Sequence, residues 1–173
     1  MVDIMDKLQQ LSELGLSGKE KQGLINVSEA FYAWDIMVTK FDIIETIHIV
    51  ENFIDDIDLK IIAKRIIDSL QLGIADMEKI MSNYGVPFPT RPPAGKITTK
   101  CLEYYTDRYI YHNLNDSIQS FFPVLAHGYM QSTAPYAKKQ FKSHLLTTME
   151  LHEEIIEYGK LKGFLAEPPL YNA

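Results

Sequence analysis

Tyr84-Gly85-Val86-Pro87-Phe88-Pro89-Thr90-Arg91-Pro92-Pro93 is the stretch that decides how this chain folds. It holds four of the eight prolines, and no helix or central strand can continue through it. The connection it opens runs from Gly85 to Ile97, 13 residues. In polyproline geometry such a segment spans about 40 Å, at about 3.1 Å per residue. A helix of about 27 residues has the same length at about 1.5 Å per residue. A hairpin turn needs only about 2–8 residues. The stretch therefore reads as a crossover that runs the length of a helical bundle and leaves the helices on either side of it parallel.

The sequence on both sides supplies the helices. The first long one is expected from Ser28 to Ile54, opened by Asn26 and Glu29 as a capping box. The second runs from Asp58 to Tyr84, with Gly85 as the residue that stops it. The third starts at Thr98 or Thr99 and continues to Gln131 with Pro123 inside it. The fourth starts near Thr133, tolerates Pro135 in its first turn and ends at Gly163. A short extra helix is expected over residues 3–14. No alternating strand pattern and no internal repeat is visible. The fold class is all-α: a ferritin-like four-helix bundle of two antiparallel hairpins joined by the crossover. One domain covers 1–173, with an N-terminal extension (1–27), the crossover (85–97) and a tail (164–173) containing Pro168 and Pro169.

Apolar stripes support the packing. The second helix presents Leu59, Ile62, Ile66, Leu70, Gly73, Met77, Ile80 and Tyr84. The third presents Ile110, Leu114, Ile118, Phe121 and Leu125, and the fourth Phe141, Leu145, Thr148, His152 and Ile155. On the first, the stripe Phe31, Trp34, Val38, Phe41, Glu45, His48 and Asn52 is taken as the core face. A second arc, Ile36, Ile43, Ile47, Val50 and Ile54, then needs a cover: the N-terminal helix or another subunit.

Composition excludes several classes of function. The 173 residues are 46% apolar, so the chain is not intrinsically disordered. A net charge of −6 argues against a dedicated nucleic-acid binder. Cys101 is the sole cysteine, which leaves no disulfide framework or cysteine-based zinc cluster. Asp3, Asp6 and Glu13 make the first 15 residues unlike a signal peptide, and no run approaches the length of a membrane span. Cytoplasmic synthesis is expected.

Trp34-Asp35, the proline stretch above, and the ending Tyr158-Gly159-Lys160-Leu161-Lys162-Gly163-Phe164-Leu165 with Pro168-Pro169-Leu170-Tyr171 resemble a family from spore-forming bacteria. Its members are labelled spore coat proteins, similar to coat protein F. The resemblance covers nearly the whole chain. It implies a ferritin-like bundle and a place in or near the spore coat, with no established chemistry.

One polar constellation stands out. Glu45 and His48, at i and i+3, share a helix face, the Glu-x-x-His spacing of di-iron bundles. With the crossover, Asp107 and His152 fall at the same depth, with Glu103 beside them. Plain up-down topology would instead collect His112, Asp116 and His144. Carboxylates with imidazoles suit Fe, Mn or Zn. The full di-iron pattern is not met, because the second helix offers no ligand. A mononuclear or degenerate dinuclear site, a metal-free polar layer, and residues turned to solvent all remain open. Elsewhere, Lys138, Lys139 and Lys142 form a solvated or partner-facing patch, and Glu150, Glu153, Glu154 and Glu157 a solvated face. Tyr104, Tyr105, Tyr109 and Tyr111 crowd the third helix and suit packing or protein contact. The leading expectation is a non-enzymatic structural or interaction protein that forms a homo-oligomer (a dimer) or meets other coat proteins. A metal-binding bundle is the alternative, and an apolar-ligand carrier a third reading.

Overall fold

Backbone caps set the ends of the helices in the computed structural model, which describes residues 8, 11–92 and 105–167. A short helix, α1 (Gly18–Gln22), precedes four long ones: α2 (Val27–Val50), α3 (Ile57–Tyr84), α4 (Asp107–Gln131) and α5 (Pro135–Lys162). A single 3₁₀ turn, Glu51–Phe53, ends the α2 rod. No strand occurs among the described residues. Most of the helix expected over 3–14 lies outside them, as do 93–104, with Glu103 and Tyr104, and the tail from 168.

Two of the stretches that carried the family resemblance contain helix stops of one kind. Gly85 (φ 64°) and Gly163 (φ 69°) both adopt the left-handed conformation that glycine takes without strain. In each, the next residue folds back: Val86 N–H donates to Met81 O at 2.9 Å and Phe164 N–H to Gly159 O at 2.8 Å. These are Schellman caps, and the apolar residue after the glycine packs inward. Val86 and Phe164 both pack against the core.

Contacts at the two ends of the bundle give its order. At one end, Glu29 in the first turn of α2 reaches the α4–α5 junction. Its Oε1 accepts the N–H groups of Thr133 and Ala134, each at 2.7 Å. Its Oε2 accepts Asn26 N–H at 2.8 Å, completing the capping box. At the other end, Asp107 Oδ1 and Oδ2 accept Asp55 N–H (2.9 Å) and Asp56 N–H (3.0 Å). Lys162 closes the same end on Asp56 at 2.5 Å and Asp58 at 3.4 Å. So α2 runs antiparallel to α4, and α3 antiparallel to α5. Both α3 and α4 start at one end and run parallel, which puts Tyr84 and Asp107 at opposite ends. That parallel order is the one expected from a long connection, although α4 starts at Asp107 and the connection is longer than the 13 residues assumed. In the packing, α2 lies on α3 and α4, and α5 on α4 and α3.

Two expectations need correction. The third long helix does not begin at Thr98 or Thr99 and run on unbroken: Tyr105 and Thr106 are non-helical, and Thr106 is the N-cap, accepting Tyr109 N–H. The second correction concerns α2, whose faces are reversed. Ile36, Ile43, Ile47, Val50 and Ile54 are the buried face, joined by Ala33 and Met37. The stripe taken as core points outward: Phe31, Trp34, Glu45 and His48 are exposed. Both stripes repeat at helical spacing, and the outer one carries the larger aromatic rings. What separates them is the aliphatic character of the inner arc, broken between Ala33 and Ile54 only by Lys40. The stripes on α3 and α4 are buried as expected from Ile110 onward.

Candidate functional site

The four described candidate ligands lie in different surroundings, and Glu103 is outside the described residues. Glu45 is exposed. His48 is exposed and pairs through Nδ1 with Glu51 Oε1 at 3.0 Å, within its own helix end. Asp107 sits in the first turn of α4 and is occupied by two backbone amides. His152 is half-buried, 3.3 Å from Gln119 Nε2 and edge-on to the Phe122 ring. The up-down trio is also apart: Asp116 is exposed, while His144 is buried. Among the described residues, no three His, Cys, Asp or Glu side chains gather in a way that could hold a metal ion. The cap at Thr106 changes the register of α4 against α2. With α4 starting near residue 107, the level of Glu45 falls about ten residues further along that helix than a start at Thr98 implies.

A different polar group lies inside the bundle. Lys40 of α2 is 4% exposed, set among Ile36, Met37, Ile43 and Ile47. Its ammonium lies over the Phe121 ring at 4.8 Å from the centroid, a cation–π contact. Burial lowers its pKa from 10.5 to about 8, and Asp76 partly opposes the shift. His144 of α5 is also buried, and its Nε2 has no hydrogen-bond partner, lying 3.6 Å from Asp76 Oδ2. Burial, then the nearby Lys40 charge, lowers the His144 pKa to about 4, so the ring is neutral at pH 7. Asp76 holds Lys79 at 2.9 Å on its solvent side. Beside Lys40 is a cavity of about 20 Å³, lined by Ser69, Ser117, Phe121 and Thr148 among others. It has room for one water molecule, which is far less than an organic substrate needs.

A signal for Lys40 exists in the sequence. It sits four residues after Ile36 and three before Ile43, on the inner arc. The outer stripe, with its larger aromatic rings, outweighs it by residue type. Glu29 was read as half of a capping box, and its longer reach to Thr133 and Ala134 depends on tertiary packing that spacing does not show.

The outer face of α2 is the other notable feature. Val27 (84% exposed), Phe31 (56%) and Trp34 (40%) lie along one side of its first half, with Leu24 just before them. The Phe31 ring meets Tyr32 edge-on, and Tyr32 stacks on His127 of α4. Chains that stay monomeric rarely expose contiguous apolar surface of this kind.

The fold is similar to that of a putative spore coat protein from Bacillus halodurans. The TM-score is 0.80 at 20% sequence identity, over 86% of this chain and 96% of that one. No family model matches the sequence, and no curated protein does. At that identity the likeness speaks for the fold. No helix among the described residues is long and apolar enough to cross a membrane.

Proposed function

We propose that the chain is a non-enzymatic structural protein of the spore coat, a ferritin-like bundle that works by presenting surfaces to other coat proteins. The observation that carries this reading is the apolar outer face of α2, with Val27, Phe31 and Trp34 exposed while the bundle interior is already filled. The likeness to the Bacillus halodurans protein, which takes in nearly all of that chain, supports the coat assignment. The sequence signatures agree with it. Aromatic anchors on a rigid helix suit protein contact, because they bring large area at little entropy cost.

A fluorescent fusion expressed in a sporulating host tests the proposal. The wild-type chain is expected to collect around the developing spore. A variant with Phe31→Ser and Trp34→Ser, which leaves the core untouched, is expected to stay diffuse. Uniform fluorescence from the wild-type fusion throughout sporulation would overturn the coat role.

A further inference from the structure

The outward side of α5 has a symmetry that a helix in a lone bundle does not need. Its buried residues are Ala137, Phe141, His144, Thr148, Ile155, Tyr158 and Gly159. On the opposite side, Lys138, Lys142, Leu146, Met149, Glu153 and Glu157 follow at intervals of four, four, three, four and four residues. At about 3.6 residues per turn these six fall within an arc of about 100°. Leu146 (50% exposed) and Met149 (45%) are an apolar centre open to solvent. Two lysines lie on its N-terminal side and two glutamates on its C-terminal side.

The arrangement is self-complementary. Laid antiparallel on a second copy about an axis between residues 147 and 148, Leu146 faces Met149 of the other copy. Lys142 then faces Glu153, and Lys138 faces Glu157, each contact occurring twice. We infer that this face of α5 pairs with the same face of a second copy of the chain, giving a two-fold symmetric dimer. A two-fold interface requires such matching of a patch with itself. Charge complementarity selects the occupant: an acidic or a basic partner would satisfy only half the stripe. In the single chain Lys138 lies over the Tyr129 ring at 4.9 Å, while Lys142, Glu153 and Glu157 have no ion pair among the described residues. Glu154, which does pair with Arg65 inside the chain, is off this stripe.

The interface is one helix wide and its apolar centre is four side chains, so the dimer is weak and dissociates as salt rises. It is separate from the α2 face, and its failure would leave the coat reading intact.

Sedimentation equilibrium at low and high salt tests it, with helix content by circular dichroism confirming that each variant is folded. The wild-type chain is expected to dimerise at low salt and to weaken about tenfold or more at high salt. Lys142→Glu alone and Glu153→Lys alone are each expected to be monomeric, since like charges then face across the axis twice. A 1:1 mixture of these two variants is expected to form a heterodimer, and both changes in one chain to restore the homodimer. A wild-type monomer at every concentration would overturn the inference. So would single variants that dimerise as well as the wild type, or a mixture that fails to associate. The Phe31→Ser, Trp34→Ser variant is expected to dimerise normally; loss of the dimer there, with Lys142→Glu unaffected, would move the interface to α2.

Discussion

Lys40 on α2 passes directly over Gly73 on α3: a β-carbon at Gly73 would stand 2.6 Å from the lysine Nζ and 2.7 Å from its Cε. A glycine in a helix interior costs about 1 kcal/mol relative to alanine. Its place here is explained by the buried lysine, whose long chain needs the missing methyl. Gly73→Ala in the wild-type chain forces the Lys40 ammonium end to shift and is therefore expected to lose the gain of about 1 kcal/mol that alanine brings to a helix interior. With Lys40→Ala already present, the same Gly73→Ala change is expected to be neutral or stabilising by about 1 kcal/mol. Urea unfolding of the four members of this cycle measures the coupling.

Lys40 and His144 also give the stability a definite pH dependence. Both have a lower pKa folded than unfolded, so the unfolded chain binds more protons across each window. Stability is expected to fall as pH drops from about 6.5 to about 4, where unfolding lets His144 protonate. It is expected to rise between about pH 8 and 10, as Lys40 loses its buried charge. Above that the trend reverses, because burial raises the pKa of Tyr111 and Tyr158 and only the unfolded chain ionises freely. Lys40→Met removes the buried ammonium and leaves Asp76 its other partner, Lys79. The variant is expected to unfold at a higher temperature at pH 7, and to lose the gain of about 2 kcal/mol between pH 7 and 10. Thermal melts of both proteins at intervals of one pH unit check it.

Glu29 ties the first turn of α2 to the start of α5 through the two backbone amides of Thr133 and Ala134, and closes its own helix cap through a third, that of Asn26. The cap residue of α5, Ala134, has no side chain able to do this for itself. Glu29→Ala leaves the buried Ala134 N–H and the part-buried Thr133 and Asn26 N–H groups without this acceptor. The expected cost is about 3 kcal/mol, a fall in Tm of roughly 10 °C for a chain of this size. Glu29→Gln keeps one acceptor oxygen and is expected to lose less. Amide hydrogen exchange should show Thr133 and Ala134 exchanging faster in Glu29→Ala.

How far the sequence spoke for itself depends on the range of the interaction. Gly85, Gly163, Asn26 and Glu29 act within one helical turn, and their caps are legible from spacing. The parallel relation of α3 and α4 agrees with a long proline-rich connection, although α4 starts at Asp107, later than the 13-residue ruler assumed. The start of α4 was not: Thr98, Thr99 and Thr106 are all able to cap, and only packing chooses. That one choice shifted the register and brought together on paper four side chains, Glu45, His48, Asp107 and His152, that the bundle holds apart. The faces of α2 were misread for a related reason. Phe31 and Trp34 look like core residues by type, and their exposure is a property of the whole bundle. The buried Lys40 was overlooked because a lysine on an aliphatic arc contradicts the usual cost of burying charge.

The central claim is that the chain acts through the outer face of α2, and oxidative footprinting read by mass spectrometry tests it most directly. Trp34 is the sole tryptophan, so its oxidation is read without ambiguity. The purified chain and the chain incorporated into isolated spore coats would be labelled under the same conditions. Strong protection of Val27, Phe31 and Trp34 in the coat, with other exposed side chains such as Leu72 on α3 labelled equally in both states, is the predicted result. Equal labelling of Phe31 and Trp34 in the free and coat-bound chain would contradict it.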